Sequence, residues 1–324
     1  MDEFVALPDL ASRAFGGGVV YANDEFFAAA DHLVLPTPPV HAPRTFDHKG
    51  QVYDGWETRR RRQPGSDVAI VRLGAPGVVR GIDVDTAFFT GNFPPYASVD
   101  GLAIEGYPSD FSGADWVPLV PKSPLKGDSR NLFAVAGERR FTHVRLTIHP
   151  DGGVARLRVH GEPIPDPSLL PPEFDVAAIA YGATVTDCSN TFYGHPEKML
   201  MPGLALHMGD GWETSRRRDD GNDFVEIRLA APARISLADL DTTHFKGNSP
   251  GWASLSGRSE MPEWRPLLPR VALTPDTPHR FRIDSEATVT HVRLDIYPDG
   301  GMARLRLHGR PAAGFLEERF RRHT

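Results

Sequence analysis

The stretch His143–Pro163 reads HVRLTIHPDGGVARLRVHGEP and alternates apolar with polar side chains on both sides of a Pro-Asp-Gly-Gly turn. Val144, Leu146 and Ile148 fall on one side, and His143, Arg145, Thr147 and His149 on the other. Beyond the turn Ala155, Leu157 and Val159 oppose Arg156, Arg158 and His160. A period of two is the period of a strand, and this pattern predicts a sheet with one buried and one polar face. Proline and glycine at Pro150–Gly153 supply the reversal between the two strands.

The stretch returns at His291–Pro311 as HVRLDIYPDGGMARLRLHGRP, 148 residues on. Earlier strings also recur. DGWETRRRR (Asp54–Arg62) is answered by DGWETSRRR (Asp210–Arg218), DVAIVRLGAP from Asp67 by DFVEIRLAAP from Asp223, and DVDTAFFTGN from Asp83 by DLDTTHFKGN from Asp239, all 156 residues apart. The offset falls to 148 by Trp116 and Trp264, so the second copy lacks eight residues around VDGLAIEGYPSD. A repeat of roughly 150 residues has the size of a domain and is too long for a solenoid unit. The proline-rich Glu162–Pro172 reads as a linker. The expected domains are 1–165 and 166–324.

The chain has 31 glycines and 30 prolines scattered between apolar runs. This suits many short strands and argues against long helices. Helix is expected only near the start of each repeat, as at NDEFFAAADHLV from Asn23, where Asn or Asp can cap. The predicted fold is all-β, two tandem β-sandwiches or jelly rolls.

Of the 324 residues 40% are hydrophobic and 24% charged, a globular profile, and the net charge of −6 gives no electrostatic case for nucleic acid or an anionic membrane. The single cysteine, Cys188, excludes an internal disulfide framework and points to a reducing compartment. It is expected to be a buried structural thiol. The N-terminus carries acids where a signal peptide needs bases, and no run approaches a membrane span, so a cytoplasmic protein is expected.

Three features could carry chemistry. The first is the knot at Asp54–Arg62. Four consecutive arginines repel one another unless anions compensate them. Glu57, Asp54 and Asp67 could do so in an ion-pair network. Alternatively one or two arginines form a carboxylate clamp, since guanidinium matches carboxylate bidentately. Ser215 stands where the first copy has Arg59, making Arg59 the most dispensable of the four.

The second feature is DTAFFTGN against DTTHFKGN. Gly-Asn reads as a turn, with Asn tolerating left-handed backbone. Asp241, His244, Lys246 and Asn248 nonetheless group polar side chains at a strand end, while the first copy has Phe88 for His244 and Thr90 for Lys246. The third is the set of recurring histidines, His143 with His291 and His160 with His308, which a hydrogen-bonded sheet position also explains. No HExxH, GxSxG, phosphate loop or dinucleotide fingerprint occurs, so no cofactor is called for. A divalent metal gathered from distant strands stays open.

The doubled GWETRRRR and GWETSRRR, the DT-x-x-F-x-GN element and the HVRL…PDGG strings resemble the allantoicase family. So do LPDLASRAFGGGVVYANDEFF and EFDVAAIAYGATVTDCSNTFYG at the starts of the two halves, and the resemblance spans nearly the whole chain. It implies tandem jelly rolls of galactose-binding or discoidin-like type, hydrolysis of allantoate to ureidoglycolate and urea in purine breakdown, and a homo-oligomer. The chain departs from the family pattern where Ser66-Asp67-Val68 and Asn222-Asp223-Phe224 keep only the aspartate of a His-Asp-Trp-like trio, and where Phe88 replaces a histidine.

Breaking the C–N bond needs an acid for the departing urea, an activated water and a clamp for the carboxylate. The resulting expectation places Arg60 and Arg62, or Arg216 and Arg218, on the carboxylate. Glu57 or Glu213 acts as acid or base, or orients an arginine, and His244, Lys246 and Asn248 hydrogen-bond the ureido oxygens or supply a proton. The competing class is a non-catalytic tandem carbohydrate-binding module, which would release no urea.

Overall fold

A computed structural model describes residues 3–259 and 263–324. It is all-β apart from short 3₁₀ turns and, among the described residues, one α-helix, Phe315–His323. The chain divides into two compact units, Met1–Ile164 with His323–Thr324, and Pro165–Arg322.

The first unit is organised by one 19-residue strand, Asp67–Asp85. Its first part, Asp67–Arg72, pairs with Gly18–Ala22 and with Arg140–His149. Its last part, Gly77–Asp85, pairs with Arg156–Pro163, and Arg130–Ala134 joins at Gly81–Asp85. The register breaks between Arg72 and Gly77, where Pro76 has no N–H to give a ladder. One strand therefore serves both layers of a jelly-roll sandwich. Tyr96–Leu102 and Val117–Pro124 extend the first layer. The second unit repeats the plan around Asp223–Asp241, which pairs with Thr184–Cys188 and Thr288–Tyr297 before its break and with Arg304–Pro311 and Pro278–Arg282 after it.

The alternation read from the sequence points the expected side chains inward. Val71, Val144, Leu146, Ile148, Leu157 and Val159 have no exposed surface. Burying each contributes about 1.5–3 kcal/mol before conformational entropy is subtracted. Three positions of the polar face are nonetheless buried: His143, Arg156 and His160. His143 is only 1% exposed, because Phe111, from the segment that the second copy lacks in part, stacks edge-on to it at 5.4 Å. Burial and then the nearby Arg72 charge push the His143 imidazole down to about 4.

Two further expectations are corrected. NDEFFAAADHLV forms only a 3₁₀ turn, Ala30–Val34, whose first amide is held by Glu25 Oε2 at 3.0 Å. The Asp24 carboxylate caps no helix; it accepts the Phe26 amide at 2.9 Å and Arg59 Nε at 2.7 Å. The α-helix lies instead at the end of the chain. Cys188 is half-buried, with Sγ 3.1 Å from the Asn190 carbonyl, and burial raises its thiol pKa.

Candidate active site

Trp56–Glu57 is a two-residue strand on Gly153–Val154, so the knot and the PDGG turn are neighbours by ladder pairing. Trp56 is wholly buried, and its Nε1–H donates to the Asp24 carbonyl at 2.8 Å. Trp212 does the same with Asn190 at 2.8 Å. Gly55 lies so close to the Gly153–Arg156 strand region that a Cβ would sit 2.7 Å from Ala155 Cα. Close approach, rather than a turn, requires glycine there. Thr58 is buried and accepts the Gly152 amide on Oγ1 at 3.2 Å. Framework residues thus hold Glu57 at a fixed place.

The four arginines follow the Trp56–Glu57 strand in an irregular segment and take different partners. Arg61 Nη1 meets Asp67 Oδ1, at 2.5 Å, and the Asp67 side chain is only 2% exposed. Arg59, 63% exposed, pairs with Asp24 at 2.7 Å and lies over the Phe26 ring. Burial alone would raise the Asp24 pKa, but the Phe26 amide and Arg59 hold it below the usual range. Asp54 does not serve the knot, contrary to the expected network; it binds the buried guanidinium of Arg156 at 2.8 Å. Arg60 and Arg62 are exposed and make no ion pair among the described residues. The second copy agrees. Arg217 holds the buried Asp223 at 2.8 Å, while Arg216 and Arg218 are exposed without an ion pair among the described residues. There Asn190 donates to Ser215 Oγ at 2.7 Å, a neutral replacement for the Asp24–Arg59 pair.

Glu57, Arg60, Asn92 and Asp151 line one cleft of ≈ 270 Å³ whose walls include Phe27, Phe93 and Pro95. Asn92 Nδ2 donates to Glu57 Oε1 at 2.7 Å. Burial pushes the Glu57 carboxyl above the ordinary glutamate range, and the Asn92 hydrogen bond offsets only part of that. The cleft therefore combines a desolvated acid, a free guanidinium and a second carboxylate. Arg62 is not part of its lining.

In the second repeat Asn248 donates to Glu213 Oε1 as Asn92 does to Glu57. The walls differ: Tyr193, Ser249 and Gly251 replace Phe27, Phe93 and Pro95. His244 and Lys246 group elsewhere. The His244 amide donates to Asp276 Oδ1 at 2.7 Å, its ring Nε2–H donates to the Ala205 carbonyl at 3.0 Å, and Lys246 Nζ lies 3.7 Å from Asp276 Oδ2. The left-handed residue of this element is His244 (φ +73°), and Phe88 (φ +69°) in the first copy; it is not the Asn of Gly-Asn. The carboxylates of Asp128 and Asp276, which receive the Phe88 and His244 amides, hold that conformation.

The sequence reading missed Asn92, though it lies at the position of Asn248, and it took Asp151 for turn chemistry alone. That Asp151 and Asp299 both precede Gly-Gly was the available signal. Among the described residues no group of three or more His, Cys, Asp and Glu side chains is placed to share a metal ion.

The allantoicase repeat family model matches residues 8–164 and 174–312. A probable allantoicase of Nocardia farcinica is 58% identical over 312 residues, covering 94% of this chain and 95% of the relative. One from Pseudomonas aeruginosa is 44% identical over 319 residues, covering 94% and 96%. The crystal structure of Saccharomyces cerevisiae allantoicase superimposes with a TM-score of 0.79 at 34% identity, covering 94% of this chain and 93% of that one. A second allantoicase structure gives 0.78 at 35%, covering 92% of each.

Proposed function

The chain belongs to the allantoicase family and is a hydrolase that cleaves allantoate to ureidoglycolate and urea, and from that premise we propose that the reaction runs in the Glu57 cleft of the first repeat. The observation that carries this reading is the joint lining of one cleft by Glu57, whose pKa is raised by burial, and Arg60, which has no carboxylate partner among the described residues.

Arg60 receives the substrate carboxylate, for which a guanidinium offers two parallel N–H donors. Asn92 occupies Oε1 of Glu57, which leaves the acid proton on Oε2. Glu57 Oε2–H then protonates the ureido nitrogen that departs as urea, a leaving group too basic to go as an anion. Phe27, Phe93 and Pro95 favour the protonated acid by keeping water away from it. The equivalent frame of Glu213, Asn248, Arg216 and Arg218 carries more polar walls, and this favours the first repeat as the working copy. His244 and Lys246 take no step in this scheme, because both are engaged around Asp276 and the Ala205 carbonyl.

Urea release from allantoate tests it. Arg60→Ala is expected to lose a charge-assisted contact of about 1.5–3 kcal/mol, or about 10–150-fold in kcat/KM. Wild-type rates in both Arg60→Ala and Glu57→Gln would refute the cleft. A cytoplasmic setting in purine breakdown and a homo-oligomer complete the proposal; cell fractionation and light scattering test these two.

A further inference from the structure

Hydrolysis needs a proton acceptor for the attacking water as well as a donor for the leaving nitrogen, and we infer that Asp151 is that base. The inference rests on the Glu57 cleft being the active site. Asp151 lines the same cleft as Glu57 and Arg60. Its Oδ2 accepts the backbone N–H of Arg61 at 2.8 Å, and Oδ1 makes no hydrogen bond among the described residues. No ion pair links Asp151 to Arg60 among the described residues, so the cleft keeps a free acceptor oxygen beside a free guanidinium.

The turn that carries Asp151 is fastened from three sides. The Asp67 amide donates to the Pro150 carbonyl at 3.1 Å, the Gly152 amide to Thr58 Oγ1 at 3.2 Å, and the Gly153 amide to the Asn92 carbonyl at 2.8 Å. Such anchoring fixes a side chain relative to Glu57, as a positioned base requires.

The step balances without an added reagent. Asp151 Oδ1 takes a proton from water as the water oxygen bonds to the central carbon. The C–N electron pair leaves with the ureido nitrogen, which takes the Glu57 proton. Exchange through solvent then returns the proton from Asp151 to Glu57.

The test is Asp151→Asn, which keeps an oxygen for the Arg61 amide, compared with Asp299→Asn, which alters the same turn link in the second repeat (2.9 Å to Arg217 N). Asp151→Asn should lower kcat by about 10²–10⁴-fold, with KM changed only a few-fold. It should also flatten the acidic limb of the kcat/KM pH profile, and added formate should partly restore Asp151→Ala. Asp299→Asn should retain activity. Asp151→Asn with near-parental kcat, with an unchanged acidic limb, or with a loss matched by Asp299→Asn would overturn the assignment. If Asp151→Asn is active while Arg60→Ala and Glu57→Gln are impaired, only the base assignment fails. If all three are active, the cleft itself fails.

Discussion

Four adjacent arginines of like charge should differ sharply when each is removed. Arg61→Ala leaves the Asp67 carboxylate, 2% exposed, with only the Asn23 amide at 3.1 Å among the described residues. Removing one partner of a buried pair costs about 3–5 kcal/mol, a large share of a typical total of about 5–15 kcal/mol. Arg59→Ser removes an ion pair whose arginine is 63% exposed, which costs about 0.2–1 kcal/mol. Adding Asp24→Asn copies the Asn190–Ser215 solution of the second repeat and should recover most of that loss. Arg60→Ala and Arg62→Ala touch no ion pair among the described residues and should stay within about 0.5 kcal/mol of the parent. Guanidinium unfolding followed by tryptophan fluorescence measures the stabilities, and urea release measures kcat/KM on the same samples. The expected pattern dissociates the two: Arg61→Ala loses stability, Arg60→Ala loses activity alone, and Arg62→Ala loses neither. Equal destabilisation by Arg60→Ala and Arg61→Ala, or a stable Arg61→Ala, would refute the sorting by ion-pair partner.

Glu57→Gln should reduce kcat by about 10²–10⁴-fold while raising the melting temperature at neutral pH. The folded pKa of Glu57 lies above its unfolded value, so its favourable contribution is complete below about pH 4.3 and is lost as pH rises through the folded pKa. Parent and variant should therefore melt alike in acid and diverge above it, which calorimetry across pH checks. Phe93→Ser with Pro95→Gly copies the second repeat's walls and should move the alkaline limb of the kcat/KM profile to lower pH as Glu57 becomes solvated. Gly153→Ala places a Cβ 2.0 Å from the buried Phe89 ring and should cost about 1–3 kcal/mol or more in denaturant unfolding. His244→Ala should leave kcat/KM within about three-fold, because its hydrogen bond goes to the Ala205 carbonyl; a loss as large as that of Glu57→Gln would move the active site to the second repeat.

The sequence by itself determined the layered all-β plan, because side-chain alternation in HVRLTIH and ARLRVH is a local property and its recurrence 148 residues on makes it unambiguous. Comparing copies also marked Arg59 as replaceable, and the ion pair with Asp24, exchanged for Asn190–Ser215, supplies the reason. Other features depended on which segments meet. No spacing rule joins Glu57 to Asn92, 35 residues on, or Arg61 to Asp151, 90 residues on; the pairing of Trp56–Glu57 with Gly153–Val154 does. The segment holding Phe111 buries His143 on a face that alternation alone marks as polar. The left-handed turn residue is Phe88 or His244, since an aspartate some 40 or 32 residues away holds its amide. Local periodicity decides which side of a strand a residue takes, whereas long-range contact decides what covers that side, and with it which charges are neutralised and which remain free to bind.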